Sequence, residues 1–322
     1  MSTYSIKHMT RYSYTSEVID CSNQIMLYPI VDALLEVRNH EIKISNDPVV
    51  ESFMDYFGNH VGIFSVIKPH TTLLIESLAE VITKPVIFPA DDMPASSQWD
   101  ILKNLRYHTA YMDFLTPEVF SSSENIKNSL VEIISEEKTP YKNALALTEY
   151  VYTNFTYKQG ITNVETKPED ILRLKAGVCQ DFAHILIVYL RMFGIPSRYV
   201  SGYIYNNDNE MRGGGATHAW VEVFIPNFGW LGVDPTNNCI VNDTHVRLAT
   251  GRNFTDCTPV KGTYKGSGEH ELEVSVEIKN GALGESSEKI DVPKFSYHSK
   301  NPSEHSNSYR DHQETQQKQQ QQ

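Results

Sequence analysis

The chain has 322 residues, a formal net charge of -12, 40% hydrophobic and 21% charged residues. That length exceeds one ordinary domain and the apolar share supports a real core, so one large or two moderate soluble domains are expected. Nucleic acid and anionic membrane both repel a net negative surface, and neither is an expected partner.

The N-terminus MSTYSIKHMTRYSYT lacks an apolar h-region, and no later run approaches the roughly 18 apolar residues of a spanning helix. A cytoplasmic setting is therefore expected. Cys21, Cys179, Cys239 and Cys257 are too few and too irregularly spaced for a disulfide scaffold or a CxxC metal knuckle. The reading is of free thiols, with a Cys239 to Cys257 bridge left open.

Residues 1–90 alternate in short runs rich in β-formers, as in TRYSYTSEV, LLEVRNHEIKIS, FMDYFGNHVGIFSVI and TLLIESLAEVIT. Asn46-Asp47-Pro48 and Gly58-Asn59 supply turns between them, which predicts a separate β-sandwich-like domain. Residues 91–105, within the proline-rich and acidic surroundings of FPADDMPASSQWD, read as a linker.

Residues 106–295 read as a second, α+β domain. Ser122 or Ser123 is placed to cap a helix in ENIKNSLVEIISEE, and PYKNALALTEYVYTNF has apolar residues at helical spacing. KPEDILRLKAG has proline and acids in its first turn and bases in its last. The stretch GVCQDFAHILIVYLRMFGIP predicts a helix over 178–193, with Phe182, Ile185, Leu186, Tyr189, Leu190 and Phe193 on one stripe and Gly194 and Pro196 ending it. SRYVSGYIY, HAWVEVFI and WLGVD then read as strands, with PNFG as a hairpin loop. DTHVRLATGRNF reads as a loop tied down by His245 and Arg252. HELEVSVEIKN and KIDVPKF are further strand candidates, and residues 296–322 form a polar tail expected to be disordered.

Cys179 falls at a helix N-terminus, where unpaired N–H groups and the dipole favour a thiolate nucleophile. Free cysteines are also among the most buried residue types, so position alone leaves a structural role open. Two further residues bear on the choice. His218 begins the strand HAWVEVFI and Asp234 ends WLGVD; with Trp220 opposite Asp234, the histidine is diagonal to the carboxylate on one face. Packed against Cys179, they would supply nucleophile, base and orienting acid for acyl chemistry. The Cys179 N–H is the expected oxyanion donor. Asp181 and His184 read as structural, and Trp220 and Trp230 as core or pocket-wall aromatics. The same three residue types bind zinc, but no HExxH-like spacing occurs and neither metal nor cofactor is expected.

The runs GVCQDFAHILIVYLRMFGIPSRYVSGY, THAWVEVFIPNFGWLGVDPTNN and HVRLATGRNFTDCTPVKGTYKG resemble the bacterial transglutaminase-like family, within the papain-like cysteine protease superfamily. The resemblance covers about 150–280, and the β-rich first domain resembles the N-terminal domain that precedes such cores. It implies a papain-like α+β core whose cysteine-bearing helix packs on an antiparallel sheet, with Cys179, His218 and Asp234 as a catalytic triad. It also implies an aromatic near the site at Tyr157, a candidate oxyanion donor. The expected activity is hydrolysis of a peptide or protein amide through a Cys179 thioester. The alternatives are transfer to an amine and a noncatalytic peptide-binding module.

Overall fold

A computed structural model of the chain describes residues 1–162, 166–206, 211–212, 217–267 and 269–281. Five strands come first, β1 (Ser2–Ile25), β2 (Leu35–Ile44), β3 (Glu51–Met54), β4 (His60–Val66) and β5 (His70–Thr83). There follow α1 (Ala95–Leu105), α2 (Thr109–Leu115), α3 (Ser123–Ser129), α4 (Pro140–Asn154), β6 (Thr156–Tyr157), α5 (Pro168–Leu174), β7 (Ala176–Gly177) and α6 (Cys179–Met192). The chain continues through β8 (Ser197–Ile204), β9 (Thr217–Ile225), β10 (Gly229–Asp234), β11 (Cys239–Ile240), β12 (His245–Gly251), β13 (Val260–Lys265) and β14 (His270–Asn280). The architecture is α+β, as expected.

The period-2 pattern of the first segment folds as it reads: in β5, Leu73, Ile75, Ala79 and Val81 are buried while their neighbours are not. Asn46 and Asp47 adopt positive φ in one turn and Gly58 in another, the conformation these residue types tolerate. The long strand β1 organises the rest. Its first half pairs with β5 and β14, and its second half with β4 and β13. Register breaks between Ser13 and Val18 and between Ile19 and Ser22 let it curl, as bulges do. Tyr12, Tyr14, Val18, Phe64, Leu73 and Leu272 fill the inside of that curl.

Two boundaries differ from the expectation. The sheet is not complete at residue 90, because β13 and β14, assigned to the second domain, return to pair with β1. Nor is it separate: Tyr4, Ile6, Ala79, Val81 and Val276 pack against Tyr203, Val246 and Leu248 of the second sheet. The expected linker 91–105 is shorter as well, since its last eleven residues form α1, with Trp99 and Leu102 only 5% and 1% exposed. Trp99 Nε1 donates to the Lys138 carbonyl at 2.9 Å. The prolines end at Pro94, which holds the N-cap position of α1.

The second sheet runs β11-β10-β9-β8-β12, antiparallel throughout. Helix α6 packs on it with the His184 ring 5.2 Å from that of Tyr199 and Arg191 Nη2 donating to the Ser197 carbonyl at 2.8 Å, while Phe182 and Tyr189 meet Phe155 and Tyr150 on the α4 side. It is buried nearly all round rather than along one stripe, because Ala144, Leu147 and Val151 of α4 and Ile171 of α5 join the same core. Gly194, at φ +74, ends it as anticipated. Helix α3 stops at Ser129, well short of the segment expected to be helical. Within the expected loop, HVRLATG is strand β12, whose bulge between Arg247 and Ala249 hides the alternation. Cys239 and Cys257 are both free thiols. The candidate strand KIDVPKF and the tail 296–322 lie outside the described residues. Among the described residues no helix is long and apolar enough to cross a membrane.

An ion cluster helps join the two parts. Glu222, buried on β9, meets Arg198 of β8 at 2.6 Å and Arg247 of β12, and Arg247 also meets Asp32 from the first part of the chain. Removing the central carboxylate would leave Arg198 without this partner and Arg247 with Asp32 alone. Glu222→Ala is therefore expected to destabilise the fold by about 3 kcal/mol or more in urea unfolding at neutral pH, and an unchanged midpoint would refute the role assigned to the cluster.

Candidate active site

Cys179 is the first residue of α6, preceded by Val178 in an extended conformation. The local sequence explains the start of the helix. Asp181, in its first turn, accepts the Val178 N–H at 2.8 Å and the Thr162 hydroxyl at 2.7 Å, both on Oδ2. Burial raises the Asp181 carboxyl to about 6, against the pull of those two bonds. Gly177 is required by the same packing, because a Cβ there would lie 2.4 Å from Asp181 Oδ2. With the backbone held this way, the Cys179 N–H has no acceptor within the helix and the positive end of the dipole lies at the thiol.

The β9–β10 hairpin supplies the partners. Its turn uses Asn227 and Gly229 at positive φ, and the register reaches Val233 opposite Val221. Continued by one residue, that register sets Asp234 beside Trp220 and diagonal to His218, the placement that alternation predicts. His218 Nε2 and Asp234 Oδ2 are 2.8 Å apart, and neither side chain has any exposed surface. The carboxylate is fully engaged: Oδ1 accepts the N–H groups of Thr236 at 2.8 Å and Asn237 at 3.3 Å, and Oδ2 also accepts Asn237 Nδ2 at 2.7 Å.

Burial alone would disfavour charge on both partners. Each overrides it for the other. Asp234 is held well below the usual carboxylate range by the facing imidazole, with His245 adding to the effect. His218 is pushed up, to about 10, by the Asp234 charge and hydrogen bond, with Cys179 adding to the effect. Among the described residues Nδ1, the nitrogen not used by Asp234, has no hydrogen-bond partner.

Around this core, β6 pairs with β7 so that Tyr157 lies opposite Gly177, two residues before the cysteine. Burial, then the charges of Cys179, Asp181 and Asp234, drive its hydroxyl far above the ordinary tyrosine value and keep it a donor. Trp220 is fully buried, 6.1 Å from the His218 ring and 5.2 Å from that of His245. Gly202, paired with His218, leaves room for that indole: a Cβ would lie 2.5 Å from Trp220 Cη2. His184 accepts the Phe254 N–H at 3.2 Å, and Arg252 pairs with Asp256 at 2.8 Å, both structural roles. Two contacts to Asp234 escaped the sequence reading. Asn237 follows it in DPTNN, where the short loop is the available signal; His245 arrives from β12 with no local signal.

His218, Asp234 and His245 present ligand-type atoms within 4.8 Å of one another, the cluster among the described residues with that property. All three are sealed, and the 2.8 Å gap is already bridged by the hydrogen of a His–Asp bond. The arrangement fits proton handling better than ligation, which would displace that hydrogen.

Residues 127–235 match the Transglutaminase-like superfamily and residues 4–82 the Bacterial transglutaminase-like N-terminal region. An uncharacterized protein of Mycobacterium tuberculosis is 30% identical over 299 residues, covering 85% of this chain and 92% of that one. A protein-glutamine gamma-glutamyltransferase of Pseudomonas aeruginosa is 33% identical over 90 residues, 26% of this chain and 13% of that protein. A crystal structure described as a "Putative Cysteine Protease" from Cytophaga hutchinsonii superposes with a TM-score of 0.67 at 20% identity, covering 92% of this chain and 98% of that one. At that identity the likeness is one of fold.

The raised His218 and lowered Asp234 carry a pH signature. The folded state keeps the His218 proton where the unfolded chain releases it, so the stability this gives is complete below about pH 6.5 and is lost toward about 10. The Asp234 contribution is present above about pH 3.9 and fades only on acidification below that. The difference in melting temperature between wild type and His218→Gln is expected to narrow between about pH 6.5 and about pH 9.5; a constant gap would contradict the electrostatics described.

Proposed function

The chain belongs to the transglutaminase-like superfamily, and on that footing we propose that it is a cysteine enzyme acting on amide bonds of peptides or proteins. Cys179 is its nucleophile, His218 its base and acid, and Asp234 the group that orients the imidazole. The observation that carries this reading is the sealed 2.8 Å contact of His218 Nε2 with Asp234, which leaves Nδ1 for the thiol at the start of α6.

The steps follow from that geometry. The proton of the Cys179 thiol is held on His218 Nδ1 in a thiolate–imidazolium pair, and Asp234 stabilises that imidazolium while holding its plane. The sulfur attacks the amide carbonyl, and the negative oxygen meets the Cys179 N–H, with the Tyr157 hydroxyl as the second donor. His218 returns its proton to the leaving nitrogen, giving a thioester and a free amine or ammonia. Water, deprotonated by the same imidazole, then releases the acid and restores the thiol. Hydrolysis is the first reading; transfer to an amine is the second, favoured by the 90-residue likeness to a glutamyltransferase. Substrate entry requires local opening, because Cys179 is fully buried. A cytoplasmic setting suits four unpaired cysteines.

A noncatalytic peptide-binding module would not need an activated thiol. Burial pushes Cys21 up to about 11 and Cys239 up to about 12, and it raises Cys257 as well. Mass-resolved alkylation near neutral pH is expected to mark Cys179 first, and uniformly slow labelling of all four would favour the binding module.

For the reaction itself, wild type and Cys179→Ala are incubated with glutaminyl peptides and an amine donor. Wild type is expected to give a mass gain of deamidation or peptide cleavage, with roughly a thousandfold loss in the variant. Amine incorporation in place of hydrolysis would select the second reading; equal rates for both proteins would remove Cys179 from the chemistry.

A further inference from the structure

Asp234 Oδ2 is approached from more than one side. Beyond His218 and Asn237, His245 Nε2 stands 3.6 Å from the same oxygen. The residue comes from the first position of β12, across β8 from the hairpin that carries the other two. Its ring has no exposed surface and meets Trp220 edge-on at 5.2 Å, which fixes its plane. At its other nitrogen, Nδ1, the Asn242 backbone N–H approaches at 3.5 Å and the Thr244 hydroxyl lies at 3.2 Å. Asn242 Oδ1 lies at 3.4 Å as well, so Nδ1 has both a donor and an acceptor beside it, whereas Nε2 faces only the acceptor oxygen of Asp234; the ring proton is therefore assigned to Nε2, directed at the carboxylate. Among the described residues Nε2 has no hydrogen-bond partner of its own.

We propose that His245 is a positioning residue of this site, holding Asp234 Oδ2 against rotation so that the carboxylate stays in line with His218. The inference rests on the reading of Cys179, His218 and Asp234 as the reaction centre. At 3.6 Å the contact is longer than a full hydrogen bond, and a shift of well under about 1 Å closes it. His245 acts without touching substrate: the oxygen it limits is the one that must follow His218 as the imidazole gains and loses its proton. The charged or titratable groups facing it are His218 from β9, Asp234 from the end of β10, and Asp243 from the turn before β12. Burial, the largest influence, lowers its own basicity and keeps it neutral, as a donor to a carboxylate should be.

The test is the pH dependence of Cys179 alkylation by iodoacetamide, resolved by mass, in wild type, His245→Gln and His245→Asn. The glutamine amide nitrogen reaches the Nε2 position and the asparagine amide only that of Nδ1. His245→Gln is expected to keep the wild-type profile within about twofold, and His245→Asn to lose about tenfold in rate or to shift the midpoint by about one pH unit. Equal behaviour of the two variants, whether both intact or both impaired, overturns the proposal. No substrate is needed, so the two readings fail separately. Wild-type Cys179 no more reactive than Cys239 sinks the reaction centre together with this inference, whereas a reactive Cys179 indifferent to residue 245 sinks the inference alone.

Discussion

The bond between His218 Nε2 and Asp234 Oδ2 forms where neither side chain touches water. A carboxylate in such a place loses several kcal/mol of hydration, and only a complete set of donors offsets that loss. Two backbone N–H groups, the Asn237 amide and the imidazole provide it. The consequence is directional: the imidazole is fixed in one tautomer, one plane and one charge preference. Its other nitrogen, Nδ1, is left without a partner among the described residues.

That placement depends on close backbone approaches. Gly177 lets the Asp181 carboxylate fold back on the residue before the cysteine, and Gly202 lets the Trp220 indole lie behind His218. On β9, His218, Trp220 and Glu222 alternate with Ala219, Val221 and Val223, which join the α6 core. One strand thus carries a site residue, its backing ring and the centre of an ion cluster. The first sheet supports this strand indirectly. It packs on β8 and β12 through Tyr203, Val246 and Leu248, and its neighbour Asp32 completes the cluster at Arg247.

Much of this was legible in the residues. The helix of Cys179 shows in its apolar spacing and in the Gly194 and Pro196 that stop it. The hairpin shows in PNFG, and period-2 alternation carries His218 and Asp234 to one face once the register is set by the turn. Helix α1 was obscured by the prolines and acids before it, although Trp99 and Leu102 are at helical spacing. Strand β12 was obscured because its bulge and its burial on both sides remove the alternation that marks a strand. With it went the approach of His245 to the carboxylate.

The sequence by itself determined what short-range geometry controls: where helices and strands start and stop, which faces are apolar, and which residue types could share a proton. Those features repeat every two or 3.6 residues because of the backbone's own pitch. Only the tertiary structure decided that β13 and β14 close the first sheet, that Arg247 bridges the two parts, and that a second imidazole faces Asp234. Such contacts join residues far apart in the chain, and alternation that makes a segment a strand is equally satisfied on any sheet edge. The choice among edges is made by the packing of the whole molecule.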